Sequence, residues 1–420
     1  MTKADFFQRA RVAIMVAAIA AGASIASLSG STAHAQSVRP EIGKPLQAAQ
    51  ELIRASKFKD ALAKIREAES APNRTAQENF IIDSMRGSAA AGAGDSATAM
   101  RSFEAVVASG KAPAGTQLKM IEALVGMHYS ARDYPAAIQW ANRYARDGGS
   151  GGQTRTLLIQ AYFQSGDFAN TAKESLADIQ ADQKAGRTPS EEKLQLLANA
   201  YLRQKNSSGY ISTIEKLLNY YPKKSLWADV VSRLQNKPGF SDRLSLDVYR
   251  LKFATGNLTT PSDYMEMAQL ALQADYPLEA KKIVDEGYKT GVLGKGAEVD
   301  RQKRLRDLTE KQVSENQKSI ASGKEENEAN AARTGDSLVT LGYNLVTSGQ
   351  AAKGVPMIEA GISKGGLKRP EDAKLLLGIA LLQSGQKAKG IQTLKSVQGT
   401  DGASDLASLW VIFAQKQSAT

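Results

Sequence analysis

The stretch Ala161-Tyr162-Phe163-Gln164-Ser165-Gly166-Asp167-Phe168 runs an apolar helical segment into a short turn, and a second apolar helical segment follows it. The same arrangement recurs at Asp133-Tyr134-Pro135, Asp275-Tyr276-Pro277 and Gly385-Gln386-Lys387. Marking each turn at one position gives Phe58, Ser96, Tyr134, Phe168, Tyr210, Tyr276, Ala351 and Lys387, at spacings of 38, 38, 34, 42, 66, 75 and 36 residues. The two long gaps are close to double steps. A period in this range marks a solenoid of helix–turn–helix units, in which one unit cannot bury its apolar face and stacking makes the core. The expected fold class is therefore all-α, a solenoid of antiparallel helical hairpins, and the expected work is binding.

Residues 1–35 read as a secretory signal. Lys3, Arg9 and Arg11 precede an apolar run from Val12 to Leu28, and Thr32-Ala33-His34-Ala35 ends in the small-x-small pattern of a cleavage site before Gln36. Gly22, Ser24, Ser27 and Ser29 interrupt the run, which argues against an uncleaved anchor. No later segment is long and apolar enough to span a bilayer. The chain has no cysteine, so a lipid anchor at a cysteine and a disulfide framework are both excluded. The expected location is the periplasm, or outside the cell.

The chain carries 54 basic and 43 acidic residues, and removal of Lys3, Arg9, Arg11 and Asp5 with the signal leaves +9. Most basic residues are dispersed in pairs, Lys223-Lys224, Lys281-Lys282 and Lys368-Arg369, with Arg301 to Arg306 the one dense group. In an exported protein this balance suits anionic lipid headgroups, acidic polysaccharide or acidic protein faces, and an exported chain is not expected to meet nucleic acid.

Leu377-Gly378-Ile379-Ala380-Leu381-Leu382-Gln383-Ser384-Gly385-Gln386-Lys387-Ala388-Lys389-Gly390 resembles a tetratricopeptide repeat, with its Leu-Gly pair, Gly at the turn and a small residue opening the second helix. Leu341-Gly342 with Leu345, Gly349 and Gly354 repeats the arrangement; Ala161-Tyr162 with Gly166-Asp167-Phe168, and Leu197-Ala198-Asn199-Ala200-Tyr201, match in part. No copy carries the family's tryptophan near its start. Small residues Ala61, Ala99, Ala137, Ala198, Gly342, Gly354, Gly378 and Gly390 sit where the helices of a hairpin would cross closely.

Along the chain, hairpins are expected over 47–70, 76–109, 116–146, 154–183, 190–221 and 261–290, with an irregular pair over 227–252 joined at Pro238-Gly239-Phe240. The glycine run Gly148 to Gly152 reads as a helix C-cap and connector, or as a hinge between sub-arrays. Residues 295–333 are polar, with sparse apolar Val299, Leu305, Leu308, Val313 and Ile320, and read as one or two weakly anchored helices. Repeats resume at Ser337, and a helix from Ser404 to Lys416 is expected to cap the last hairpin. The organisation is thus 1–35 signal, 36–294 repeats, 295–333 charged insert, and 334–420 repeats with a capping helix.

Chemistry is scarce in this composition. His128 is the single histidine after the signal, beside Met127 and Tyr129 in an apolar helix, and zinc sites built from His and Cys cannot be assembled. Gly291 to Gly296 lacks phosphate-loop spacing. No catalytic, metal or cofactor residues are assigned. The resemblance implies a concave face of first helices that holds a partner peptide or helix, at Gln160, Phe163 and Gln164 in one unit and Gln195, Asn199, Leu202 and Arg203 in the next. The expected function is a non-enzymatic scaffold for protein partners in a cell-envelope complex. The alternative is a binder of envelope polysaccharide or anionic membrane surface.

Overall fold

A computed structural model describes residues 38–416. The expected signal segment and cleavage site lie outside these residues. Those described form α-helices and one 3-10 turn, with no strand, and no helix among them is long and apolar enough to cross a membrane. The chain divides into two compact units between Asp178 and Ile179.

The first unit contains α1 (Pro40–Arg54), α2 (Phe58–Glu69), α3 (Ala76–Ala93), α4 (Ser96–Ser109), α5 (Ala114–Ser130), α6 (Tyr134–Arg146), α7 (Gly152–Gln164) and α8 (Phe168–Lys184) as far as Asp178. Helices pair as α1 with α2, α3 with α4 and α5 with α6, and each pair packs on the next. Arg155 on α7 reaches Glu174 and Asp178 on α8. Core clusters are local: one joins Ile42 to Ala89, the next Ala90 to Met127, and a third links Val125 and Ala141 to Leu157 and Leu158.

The second unit continues with α9 (Glu191–Arg203), α10 (Ser207–Tyr220), α11 (Lys224–Gln235), the 3-10 turn Asp242–Leu244, α12 (Ser245–Ala254), α13 (Pro261–Gln273), α14 (Pro277–Lys289), α15 (Val299–Ala321), α16 (Lys324–Ala331), α17 (Asp336–Thr347), α18 (Ala351–Lys364), α19 (Pro370–Gln383), α20 (Lys387–Lys395) and α21 (Ala403–Lys416). The long gaps in the turn spacing each contain a helix pair, α11 with α12 and α15 with α16. In the charged insert Leu305 and Val313 are buried, while Val299 and Leu308 are exposed, so a few apolar side chains hold a mostly solvated helix.

The turns explain why the hairpins form where they do. Ser56, Gly94, Arg132, Gly166, Lys205, Asp275, Gly349 and Gly385 all have positive φ, and each lies two residues before the second helix of its hairpin. The next residue's N–H reaches back to the carbonyl five residues earlier in every case, as in Asp167 to Tyr162 and Gln386 to Leu381. This is the Schellman geometry, which satisfies carbonyls that the ending helix leaves open. In four turns that next residue then caps the second helix: Asp95, Asp133, Asp167 and Asn206 accept from the N–H groups of Thr98, Ala136, Asn170 and Gly209. The helix after the fifth turn begins at Ser207, three residues before the sequence marker Tyr210, which restores a step of 39.

Small residues set the close crossings. A Cβ on Gly354 would lie 2.4 Å from the Gly342 carbonyl oxygen, and one on Gly342 would lie 2.7 Å from that of Gly354, so α17 and α18 touch backbone to backbone.

The terminal helix packs on more than the last hairpin. α21 packs on α19 and α20 and also on α10 and α12, so the second unit closes on itself. Ser241 donates its N–H to the Asp401 carbonyl at 2.9 Å, Lys237 pairs with Asp405 at 2.8 Å, and the rings of Trp227 and Phe413 meet edge to face at 6.2 Å. The apolar face Leu406, Leu409, Trp410 and Phe413 supplies the seam, because one face of an end helix is left to cover.

Candidate functional site

Gln160 and Phe163 on α7 are half-buried and Gln164 is exposed. The Phe163 ring packs edge to face on Phe168 at 5.5 Å, which ties it to its own hairpin turn. Gln195, Asn199, Leu202 and Arg203 all lie on the exposed side of α9, whose Leu194, Leu197, Ala198 and Ala200 are buried. Gln195 donates to Glu191 one turn earlier at 2.8 Å. The α7 set belongs to the first unit and the α9 set to the second.

Leu202 is 40% exposed, one of the few large apolar side chains so placed among the described residues. It borders a pocket of about 350 Å³ with Lys205, Asn206, Ser207, Tyr210, Asp229 and Arg233. The Tyr210 hydroxyl donates to Asp229, Arg233 Nε donates to the same carboxylate at 2.9 Å, and the guanidinium lies 4.3 Å from the Tyr210 ring centroid. Burial, with the Asp229 carboxylate, pushes the Tyr210 phenol up to about 12. The phenol is thus a fixed hydrogen-bond donor here and not an acid.

A buried ionic cluster in the second unit lay beyond the sequence reading. Arg250 on α12, 5% exposed, donates Nε and Nη2 to the two oxygens of Glu279 at 2.8 and 2.6 Å and Nη1 to Asp247 at 2.7 Å. The Tyr343 hydroxyl on α17 donates to Glu279 Oε1 at 3.1 Å and accepts from Gln383 Nε2 at 3.4 Å. Tyr276 and Tyr343 meet edge to face at 5.0 Å, with the Arg250 guanidinium 5.1 and 4.7 Å from their centroids. Burial pushes the Tyr276 phenol up to about 12 and raises Tyr343 still further. Burial alone would lower Arg250, but Glu279, Tyr343 and Asp247 hold it well above its ordinary value. Each nitrogen of the guanidinium donates to a carboxylate, which is what makes a desolvated guanidinium tolerable.

Beside this cluster is a cavity of about 370 Å³, walled by residues of the 3-10 turn, α12, α13, α17 and α19. At its edge Arg243 forms a bidentate pair with Asp372 at 2.8 and 2.7 Å and reaches Asp401 at 2.7 Å. The signal for this region was faint: Arg250 recurs in the buried register of Leu246, and Glu279 in that of Ala280 and Ile283, but neither charge reveals its partner from sequence.

His128 is buried, with Nδ1 3.2 Å from Asp133 and Nε2 3.1 Å from Glu104. Both ring nitrogens are engaged in holding the α5–α6 turn to α4. Gly291 N–H closes the end of α14 on the Tyr288 carbonyl, and Gly294 N–H donates to Gln302 at 2.7 Å, so the glycines there serve a helix end. Among the described residues no group of three His, Cys, Asp or Glu side chains is placed to hold a metal ion.

These features define an all-α protein of stacked antiparallel hairpins with solvent-facing first-helix positions and a polar interior in its second unit. No protein-family model matches the chain, and no curated protein matches it. Among solved structures it is similar to a chain of the Naa15/Naa10 complex bound to HypK-THB, at 14% identity and a TM-score of 0.33 over 87% of this chain and 63% of that one. This chain therefore spans just under two thirds of that neighbour. It is also similar to yeast Tom70, at 11% identity and a TM-score of 0.24 over 90% and 96% of the two chains. The TPR domain of P58(IPK) matches at 13% identity and 0.22 over 90% and 99%. Superpositions at these scores add nothing to the hairpin packing seen directly.

Proposed function

We propose that the protein is a non-enzymatic, exported scaffold that holds a peptide or helix of a protein partner on its first-helix faces, within a cell-envelope complex. The observation that carries this reading is the outer face of α9. Gln195, Asn199, Leu202 and Arg203 recur at helical spacing, stay solvent-facing while the opposite side is buried, and lead into the pocket beside Tyr210. An exposed leucine flanked by amide and guanidinium groups offers an apolar anchor with polar contacts around it, the usual make-up of a contact surface. The alternative, a binder of anionic lipid or polysaccharide, has less support. Lys223, Lys281, Arg301 and Arg306 pair with the carboxylates of Glu191, Asp285, Glu298 and Glu310, which offsets part of the positive charge such a surface needs.

In-cell crosslinking from Asn199 and, separately, from Lys318 tests the reading. Capture of one defined envelope protein at Asn199, weakened by Arg203→Ala, and loss of the same protein from a pull-down with Asn199→Ala plus Arg203→Ala, are the expected results. Capture only at Lys318, or only of lipid and polysaccharide, would overturn it.

A further inference from the structure

We propose that the open cleft beside the buried ionic cluster of the second unit binds a small organic cation, an ammonium or guanidinium group carried on an apolar stem. This site is separate from the α9 face and does not depend on it. The cavity's 370 Å³ falls within the range of small-molecule sites, and its non-polar walls come from Leu246, Leu270, Tyr276 and Leu376, on elements brought together only by the closed fold.

Charge decides what such a cavity takes. Arg250 is shared by Asp247 and Glu279, and Arg243 by Asp372 and Asp401, so two guanidiniums answer four carboxylates. At the mouth, Asp242 makes no side-chain hydrogen bond or ion pair among the described residues, and the Asp336 carboxylate accepts only from neutral donors, the Thr334 hydroxyl and the Lys368 N–H. Arg369 is the one further cation in the lining, exposed and without a side-chain partner among the described residues. The lining thus holds four carboxylates, Asp242, Asp247, Asp336 and Asp372, against three guanidiniums, two of which are shared with Glu279 and Asp401 outside it, in a chain whose formal charge is +11. Burial pushes the Asp247 carboxyl up, and Asp372 and Glu279 add to the rise against the pull of Arg250, in keeping with a deficit of positive charge. Field lines converge in a concave cleft, so the local excess matters more there than on a flat surface. A cation with an apolar stem would offset the carboxylates and cover the leucines at once.

The test is calorimetric titration of the full-length mature protein with agmatine and with n-hexylammonium, using hexanoate as the anionic control, and amide shifts of Thr340 and Leu376 to place the binding. Saturable binding of the cations at those amides, weakened by added salt, is expected. Asp242→Asn should weaken it about threefold and Arg369→Gln should tighten it by a similar factor, the scale of one partly screened charge. Both side chains are exposed and unpaired, so neither change threatens folding. Hexanoate binding as tightly as the cations, no saturation by about 10 mM, or the two variants shifting affinity in the same direction would overturn the assignment.

Discussion

The two units are built from the same hairpin but hold together differently. In the first, each core cluster joins neighbours in sequence, and contacts pass from one hairpin to the next. In the second, one cluster runs from Leu246 to Leu381 across seven helices, and α21 returns to α10 and α12. A ladder of neighbour contacts loses stability one rung at a time, whereas a closed unit fails as a whole. Closure also makes an interior, and the second unit holds a buried ionic cluster beside a cleft.

The largest effect is expected where that interior is cut. Arg250→Ala leaves Glu279 and Asp247 buried without their cation and should cost about 3–5 kcal/mol. Two-probe denaturant unfolding, with reporters at Trp140 and Trp410, should show the second unit's transition move to lower denaturant and the first unit's stay in place. Equal movement of both would mean that the units unfold as one.

Gly354→Val tests the backbone contact of α17 and α18. Because even a Cβ there would meet the Gly342 carbonyl oxygen at 2.4 Å, helices must part, at about 1–3 kcal/mol. Since α17 and α18 both feed the long cluster, hydrogen exchange should quicken as far away as α13. Exchange that quickens only in this hairpin would show that the second unit is as modular as the first.

Glu78 in the first unit and Asp247 in the second should answer acid with opposite sign. Glu78 accepts from Arg39 Nε, Arg39 Nη2 and the Thr75 N–H, which together hold its carboxyl at about 2. Its folded value lies below the ordinary 4.5, so its contribution is complete above pH 4.5 and is lost as pH falls towards 2. Asp247 runs the other way: its folded value is raised, so its contribution is complete below the ordinary 3.8 and fades as pH rises through the raised value. Acid titration of wild type and Glu78→Gln, followed at Trp140, should show the acid loss shrink in the variant. An unchanged acid limb would place the acid sensitivity elsewhere.

Local structure was legible in the sequence because hairpin turns are local. Gly166-Asp167 and Gly385-Gln386 announce a left-handed residue followed by a cap, and the small residues at the crossings mark close helix approach. The solvent-facing side of α9 was legible for the same reason, since Asn199, Leu202 and Arg203 lie opposite a buried stripe that repeats at helical spacing. What the sequence hid was long-range. Arg250 and Glu279 are 29 positions apart, Arg243 and Asp372 are 129, and nothing in either neighbourhood names the other. The closing role of α21 was hidden likewise, because an apolar face states that it needs cover but not what covers it.

The smallest effects concern the turns, and they explain why the repeat signature fades. Ser56, Arg132, Lys205 and Asp275 hold positive φ without being glycine, at 59°, 61°, 57° and 61°. An L-residue there costs about 1–2 kcal/mol through its Cβ, while glycine gives back about 0.5–1 kcal/mol in unfolded-chain entropy. The difference is small enough for a stacked hairpin to absorb, so a turn keeps its geometry after its glycine is gone. Arg132→Gly in the first unit and Lys205→Gly in the second should each stabilise by roughly 0.5–1 kcal/mol. If the first unit is a ladder, the gain from Arg132→Gly should appear in exchange rates of α5 and α6 alone, whereas Lys205→Gly should slow exchange in α21 as well, because α10 is one of the helices on which α21 closes. Matching local responses from both variants would argue that closure carries little of the second unit's stability.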